Sequence, residues 1–146
     1  MIDVAPATSA DLDAIDEIER VSFPAPWPRA TFAAELDRAW ARVDVAREAG
    51  QIVAFCNYWL VTTELHVLAI ATVPRERGRG IARDLLAHVL ARGVSAGCTL
   101  ATLEVRRSNT AAIALYERAG FKTVHVRARY YHDDGEDALV MLADLA

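Results

Sequence analysis

The residues of this 146-residue chain best suited to chemistry fall in two stretches, 73–86 and 99–121. In the first, VPRERGRGIARDLL, glycines at 78 and 80 let the backbone approach a ligand closely and adopt torsions that other residues resist. An apolar strand pattern ends at Pro74 and a helical pattern begins near Gly80, so the helix's first N–H groups face the turn. Together with the helix dipole they suit an anion such as a pyrophosphate. Arg75, Arg77, Arg79 and Arg83 add positive charge to a protein whose net charge is −4, a local reversal of sign that favours a polyanion. On spacing alone, a glycine-rich loop with solvated arginines fits nearly as well. Two other phosphate loops do not fit. G-x-G-x-x-G fails at Arg83, and no Gly-Lys-Ser/Thr is present.

The second stretch opens with TLATLEV (99–105), in which Glu104 is the single charged residue. Burial there would raise its pKa and make it a usable base near neutral pH. A strand-end carboxylate paired with Arg106 or Arg107 is the alternative. Asn109 stands where a helix begins and can cap it or reach a ligand. Tyr116 follows seven residues later, about two turns on, and so projects from nearly the same side. Leu115 and Ala112 are then free to face the core. A phenol titrates near ~10 and a thiol near ~8.5, so Tyr116 could protonate a departing thiolate only with help from its surroundings. A half-buried helix aromatic is the bland reading of the same residue.

Positioning these groups takes alternating elements. A strand is expected near Ile2–Pro6, then a helix capped by Thr8 or Ser9 and carrying Leu12, Ile15, Ile18 and Val21. The loop PAPWP holds Pro24, Pro26 and Pro28, with Pro28 suited to a first helical position before Phe32 and Leu36. Strand patterns follow at 42–48, 52–61 and 65–73, with Gly50 as a hairpin turn. A helix from about Gly80 to Ala96 should present Leu85, Leu86, Val89, Leu90 and Val94 on one face. Strand 99–105, a helix from Asn109 to Ala119 ended by Gly120, and strands near 121–128 and 136–142 complete the chain. Strand, helix, strand in the middle implies a parallel pair with a right-handed crossover, and the other strands read as antiparallel. The Arg/Gly turn and Glu104 then lie at the carboxyl ends of adjacent strands and face one crevice. The fold class is α+β.

Composition narrows the function. The length is that of one domain, and 53% hydrophobic residues fit a packed core. No run of about 20 apolar residues could span a membrane, and the N-terminus has no secretory pattern, so the expected compartment is the cytoplasm. Net acidity argues against general nucleic-acid binding. The four histidines and two cysteines show no metal-ligand spacing. Cys56 and Cys98 sit in apolar segments and read as reduced core residues, with a disulfide between them left open. Trp40 and Trp59 also read as core.

Arg77-x-x-Gly80-x-Ala82 resembles the Q/R-x-x-G-x-G/A acetyl-CoA signature of the GNAT superfamily of N-acetyltransferases. LEVRRSNTAAIALYERAGF (103–121) resembles the L-E-V-R-x-S-N-x-x-A-I-x-L-Y-x-x-x-G-F segment of its N-terminal acetyltransferases of the bacterial RimI type. Pro26-Trp27 with Phe32 and Glu35-Leu36 is similar to P-W-S-x-x-x-F-x-x-E-L in that group. Arg127 with Tyr130-Tyr131 is similar to R-x-x-Y-Y, and Glu136-Asp137-Ala138 with Met141 to E-D-A-x-x-M. Pro28 in place of serine and Glu76 in place of an aromatic are departures.

The resemblance implies a GNAT-type fold over 1–146: a mixed, mostly antiparallel sheet with a central parallel strand pair and flanking helices. It implies acetyl-CoA as co-substrate and no metal. Cofactor contacts fall to Ile70, Ala71 and Thr72 along the pantetheine and to Arg77, Gly78, Arg79, Gly80, Ile81, Ala82, Arg83 and Asn109. Glu104 becomes the proton acceptor and Tyr116 the proton donor. Trp27, Tyr130 and Tyr131 are candidates for the acceptor side, with packed strand tyrosines as the alternative for the last two. The implied acceptor is a protein N-terminal α-amine, foremost the N-terminal alanine of ribosomal small-subunit protein eighteen, with no direct contact to nucleic acid or membrane. An α-amine near pKa ~8 offers more neutral form at pH 7 than a lysine near ~10.4. A broader N-terminal or small-amine acetyltransferase and a non-catalytic CoA sensor are the alternatives.

Overall fold

The computed structural model describes residues 2–146. Its strands are β1 (Asp3–Pro6), β2 (Ala41–Glu48), β3 (Gln51–Val61), β4 (Glu64–Thr72), β5 (Leu100–Arg106), β6 (Lys122–Arg127) and β7 (Ala138–Asp144). They form a seven-stranded sheet ordered β1-β2-β3-β4-β5-β7-β6. The helices are α1 (Leu12–Ser22), α2 (Arg29–Leu36), α3 (Ile81–Ser95) and α4 (Thr110–Arg118). The expected elements are all found, with small shifts at their ends.

The β2–β3 hairpin turns at Ala49 and Gly50, both at positive φ (53° and 81°), which matches the twist of its strands. All neighbouring strands run antiparallel except β4 and β5, which are parallel and joined through α3. That pairing covers only Glu64↔Leu100 through Val67↔Leu103. Beyond it the strands part. β4 stays on β3 to Thr72, and β5 stays on β7 to Arg106. The parting begins at an irregularity: Tyr58 pairs Val67 and Asn57 pairs Ala69, leaving Leu68 as an extra residue. Such a bulge bends and twists its strand, here just where β4 leaves β5. The result is a cleft in the middle of the sheet.

Two helix faces differ from the expected ones for a common reason. A helix turns about 100° per residue, so a residue nine positions on lies about 180° away. Val21 is nine residues after Leu12 and is 57% exposed; Glu19 takes the buried face beside Leu12, Ile15 and Ile18. Val94 is nine residues after Leu85 and is 52% exposed, while Gly93 turns inward beneath Leu85, Leu86 and Val89. A Cβ on Gly93 would lie 2.5 Å from Leu65 Cδ1, so glycine sets how closely α3 approaches β4.

Other expectations are corrected at single residues. Pro28 caps α2 in an extended conformation, and the helix starts one residue later at Arg29. Thr8 opens a short 3₁₀ turn at Ser9–Asp11 before α1, and its N–H donates to the Asp11 carboxylate at 2.9 Å. Trp40 is 47% exposed rather than core. Trp59 is half-buried, and its Nε1–H donates to the buried Glu35 carboxylate at 2.7 Å. Cys56 and Cys98 are free and buried.

Candidate active site

Two adjoining cavities fill the cleft. The larger, about 730 Å³, runs from the glycine turn along Ile70, Ala71 and Thr72 to α4. Gly78 and Gly80 both adopt left-handed backbone (φ 83° and 81°), the conformation that disfavours a side chain. Gly80 is the residue before α3, so the free N–H groups of that helix's first turn open on the groove. A Cβ at Gly80 would also crowd the Arg83 guanidinium at 3.0 Å.

The arginines divide their work. Arg77 folds back, its Nε donating to the Thr72 carbonyl (3.1 Å) and its Nη2 to Ser22 Oγ (3.1 Å). It thereby ties the turn to the ends of β4 and α1 and still lines the groove. Arg83 lines it too. Arg79 does not. Its guanidinium pairs with Glu48 (2.9 Å) and with Glu76, so two carboxylates neutralise a charge expected to face a ligand. Glu76, one of the two departures, thus fixes the turn. Asn109 does both tasks open to it: Oδ1 accepts the Ala112 N–H at 3.2 Å as a cap, and the residue lines the groove. Ala112 and Leu115, expected to face the core, line the groove while packing against the core behind it. Arg118, one helical turn after Leu115, adds a cation at the groove that the sequence reading passed over.

The smaller cavity, about 270 Å³, adjoins the first and shares Phe23, Ile70, Asn109 and Ala112 with it. Glu19, Trp27, Glu104, Tyr116 and Tyr131 converge on it. Glu104 meets neither Arg106 nor Arg107. Those two pair instead with Asp133, Asp134 and Glu136, and with Asp137. Its partner is His66 on β4, with Nε2 2.8 Å from Oε2. That hydrogen bond outweighs burial and holds the Glu104 carboxyl below its ordinary value. The expectation of a raised pKa is therefore corrected. The reason is a neighbour on the adjacent strand, 38 positions away in sequence.

The raised carboxyl in this cavity is Glu19. It is 4% exposed, and burial pushes it up although its Oε2 accepts the Trp27 N–H at 3.0 Å. Tyr116 is 7% exposed, and burial raises its phenol well above the ordinary value. Its hydroxyl makes no hydrogen bond among the described residues. Tyr131 lies beneath the Arg106 guanidinium, 4.0 Å from ring centre to Cζ, and burial pushes its phenol up to about 12 although the Arg106 charge acts to lower it. Tyr130 stacks edge-on against Tyr131 but stays outside this cavity, on an outer hollow with His132. Both tyrosines belong to the connection between β6 and β7, not to a strand. Trp27 reaches the cavity from the proline-rich loop, its ring against Phe32.

Residues 12–121 match the model of the Acetyltransferase (GNAT) family. The chain belongs to that family. It is an acetyl-CoA-dependent N-acetyltransferase with the mixed α+β GNAT fold. Among relatives of this GNAT protein, the ribosomal protein bS18-alanine N-acetyltransferase of Escherichia coli (strain K12) is 35% identical over 135 residues, covering 91% of this chain and 90% of that protein. The N-alpha-acetyltransferase RimI of Mycobacterium tuberculosis is 36% identical over 151 residues, covering 98% and 92%. The crystal structure of the E. coli ribosomal-protein-S18-alanine N-acetyltransferase superposes with a TM-score of 0.92 at 32% identity, over 100% of this chain and 95% of that one.

Proposed function

We propose that this GNAT protein transfers the acetyl group of acetyl-CoA to a protein N-terminal α-amine, that of the N-terminal alanine of ribosomal protein bS18. The carrying observation is the junction of the two cavities. A thioester laid along Ile70–Thr72 would bring its carbonyl to Ile70, Asn109 and Ala112, where the Glu104 and Tyr116 cavity begins. The identities to the E. coli and M. tuberculosis enzymes support the acceptor. A ribosomal acceptor places the work in the cytoplasm.

In this reading Gly78, Gly80, Ile81, Ala82 and Arg83, with the backbone of Arg79, hold the pyrophosphate. Arg77 braces the turn, and Asn109 borders the pantetheine. Trp27 and Tyr131 shape the acceptor side, and Tyr130 lies at its rim. Glu104, directly or through water, takes a proton from the amine as it attacks the thioester carbon. A backbone N–H of the strand at 70–72 stabilises the oxyanion. Tyr116 hands its proton to the departing CoA sulfur. Burial raises the phenol and so keeps it protonated, but it also makes the phenol a weaker donor to the thiolate, so the transfer needs help from the site.

The deciding assay incubates the protein with acetyl-CoA, a peptide beginning with alanine and a panel of small amines, and reads products by mass spectrometry. Acetyl on the peptide α-amine is expected. Transfer only to small amines would assign a small-molecule enzyme, and CoA binding without transfer a sensor.

A further inference from the structure

Glu19 is buried on the inner face of α1 and also lines the smaller cavity. One of its carboxylate oxygens is occupied: Oε2 accepts the Trp27 N–H at 3.0 Å and fastens the proline-rich loop to α1. The other is not. Oε1 is shut off from solvent and has no hydrogen-bond partner among the described residues. Buried polar atoms are ordinarily matched, so an unmatched one calls for a donor. Arg106, the arginine of this cavity, does not supply it, because Asp133, Asp134 and Glu136 hold its guanidinium. Glu104, the second carboxylate here, already has His66 on its Oε2. A ligand that brings two N–H groups into a cavity with one free oxygen on each of two carboxylates matches both.

We propose that Glu19 is an acceptor-binding residue that selects primary amines, its Oε1 accepting one N–H of the acceptor while Glu104 takes the other. This rests on the acceptor reading above, with Glu104 as the proton acceptor. The step balances. A neutral primary amine attacks through its lone pair and carries two N–H bonds. One breaks, and its proton goes to Glu104. The other survives in the product amide and needs only an acceptor, so Glu19 receives no proton. An N–H donated to Oε1 favours the ionised carboxylate and offsets the burial that raises Glu19. A secondary amine has a single N–H, which Glu104 consumes, and it leaves Oε1 unmatched.

Glu19→Gln separates an acceptor contact from a tie to the loop. The amide keeps an oxygen for the Trp27 N–H but sets an NH2 donor where Oε1 stood. Two peptides of one sequence, beginning with alanine and with N-methylalanine, are compared by kcat/KM at saturating acetyl-CoA. The wild-type protein is expected to prefer the alanine peptide by about tenfold or more. In Glu19→Gln, kcat/KM for the alanine peptide should fall by about tenfold to a hundredfold, the worth of a hydrogen bond to a charged group. The value for the N-methylalanine peptide should stay within about threefold, so the preference closes, and acetyl-CoA affinity should hold within the same range. An unchanged kcat/KM for the alanine peptide, or an equal fall on both peptides, would show that Glu19 only ties the loop and would overturn the proposal. So would a wild-type protein that acetylates both peptides equally, a result that needs no variant and keeps the test decisive if Glu19→Gln misfolds. Failure of the reading beneath looks different: no acetyl on either peptide, or full turnover in Glu104→Gln.

Discussion

At the scale of residues, the cavity holds two glutamates shifted in opposite directions, and each makes a pH prediction. Glu104 is held below its ordinary 4.5 by His66. Its contact therefore stabilises the fold fully above that value and loses this contribution as pH falls through the lowered one. A His66→Ala variant should lose about 1 kcal/mol at pH 7 in urea melts and progressively less below pH ~4. Glu19 is raised by burial. What it contributes is complete below 4.5 and lost as pH rises through the raised value, so ionised Glu19 weakens the fold at neutral pH. Glu19→Gln, which can still accept the Trp27 N–H, should melt higher than wild type at pH 8 and equal to it at pH ~4. An equal gain at both pH values would mean that burial of the charge is not the cause. For turnover, Glu104→Gln and Tyr116→Phe should each lower kcat by about a hundredfold or more, with acetyl-CoA affinity kept within about threefold. That Glu104 and Tyr116 face one cavity is legible from type and position. The sign of the Glu104 shift is not, because it comes from His66, which no local pattern connects to it. The pairing of Arg79 is hidden for the same reason: its partner Glu48 lies 31 positions back, on β2.

Among the elements, the glycine turn and the two helix packings carry the testable content. Gly80 has φ 81° and stands against Arg83, so Gly80→Val puts a branched side chain into left-handed backbone and displaces a groove cation. Calorimetry should show acetyl-CoA affinity falling by about tenfold or more, more than the peptide KM changes. Gly93→Val should instead act on stability, by about 1–3 kcal/mol, because its branches would press on the fully buried Leu65. A destabilised Gly93→Val with normal kcat, beside a stable Gly80→Val with weak cofactor binding, would separate scaffold from site. The order and kind of the elements were readable because apolar periodicity and turn residues are local. Val21 and Val94 were misplaced because spacings of three and four, continued too far, drift around the helix.

On the scale of the whole molecule, the cleft puts two cavities side by side, so in the proposed function acetyl-CoA and its acceptor would be bound together. Both cysteines are buried, and burial pushes the Cys56 thiol up, away from nucleophilic use. Transfer should therefore be direct. Initial rates varied in both substrates are expected to give intersecting double-reciprocal lines; parallel lines would indicate an acyl-enzyme. What the sequence determined by itself was whatever neighbouring residues settle among themselves. That includes the left-handed glycines before α3, the acid at the end of β5, the cap and tyrosine of α4, and the alternation that makes one parallel pair among antiparallel strands. What only the tertiary structure decided was where that pair stops and which charges meet. The pairing ends at Val67↔Leu103, His66 reaches Glu104, and Glu19 is buried in the same cavity. The physical reason is that strand register and ion pairing join residues tens of positions apart, and no local spacing encodes those distances.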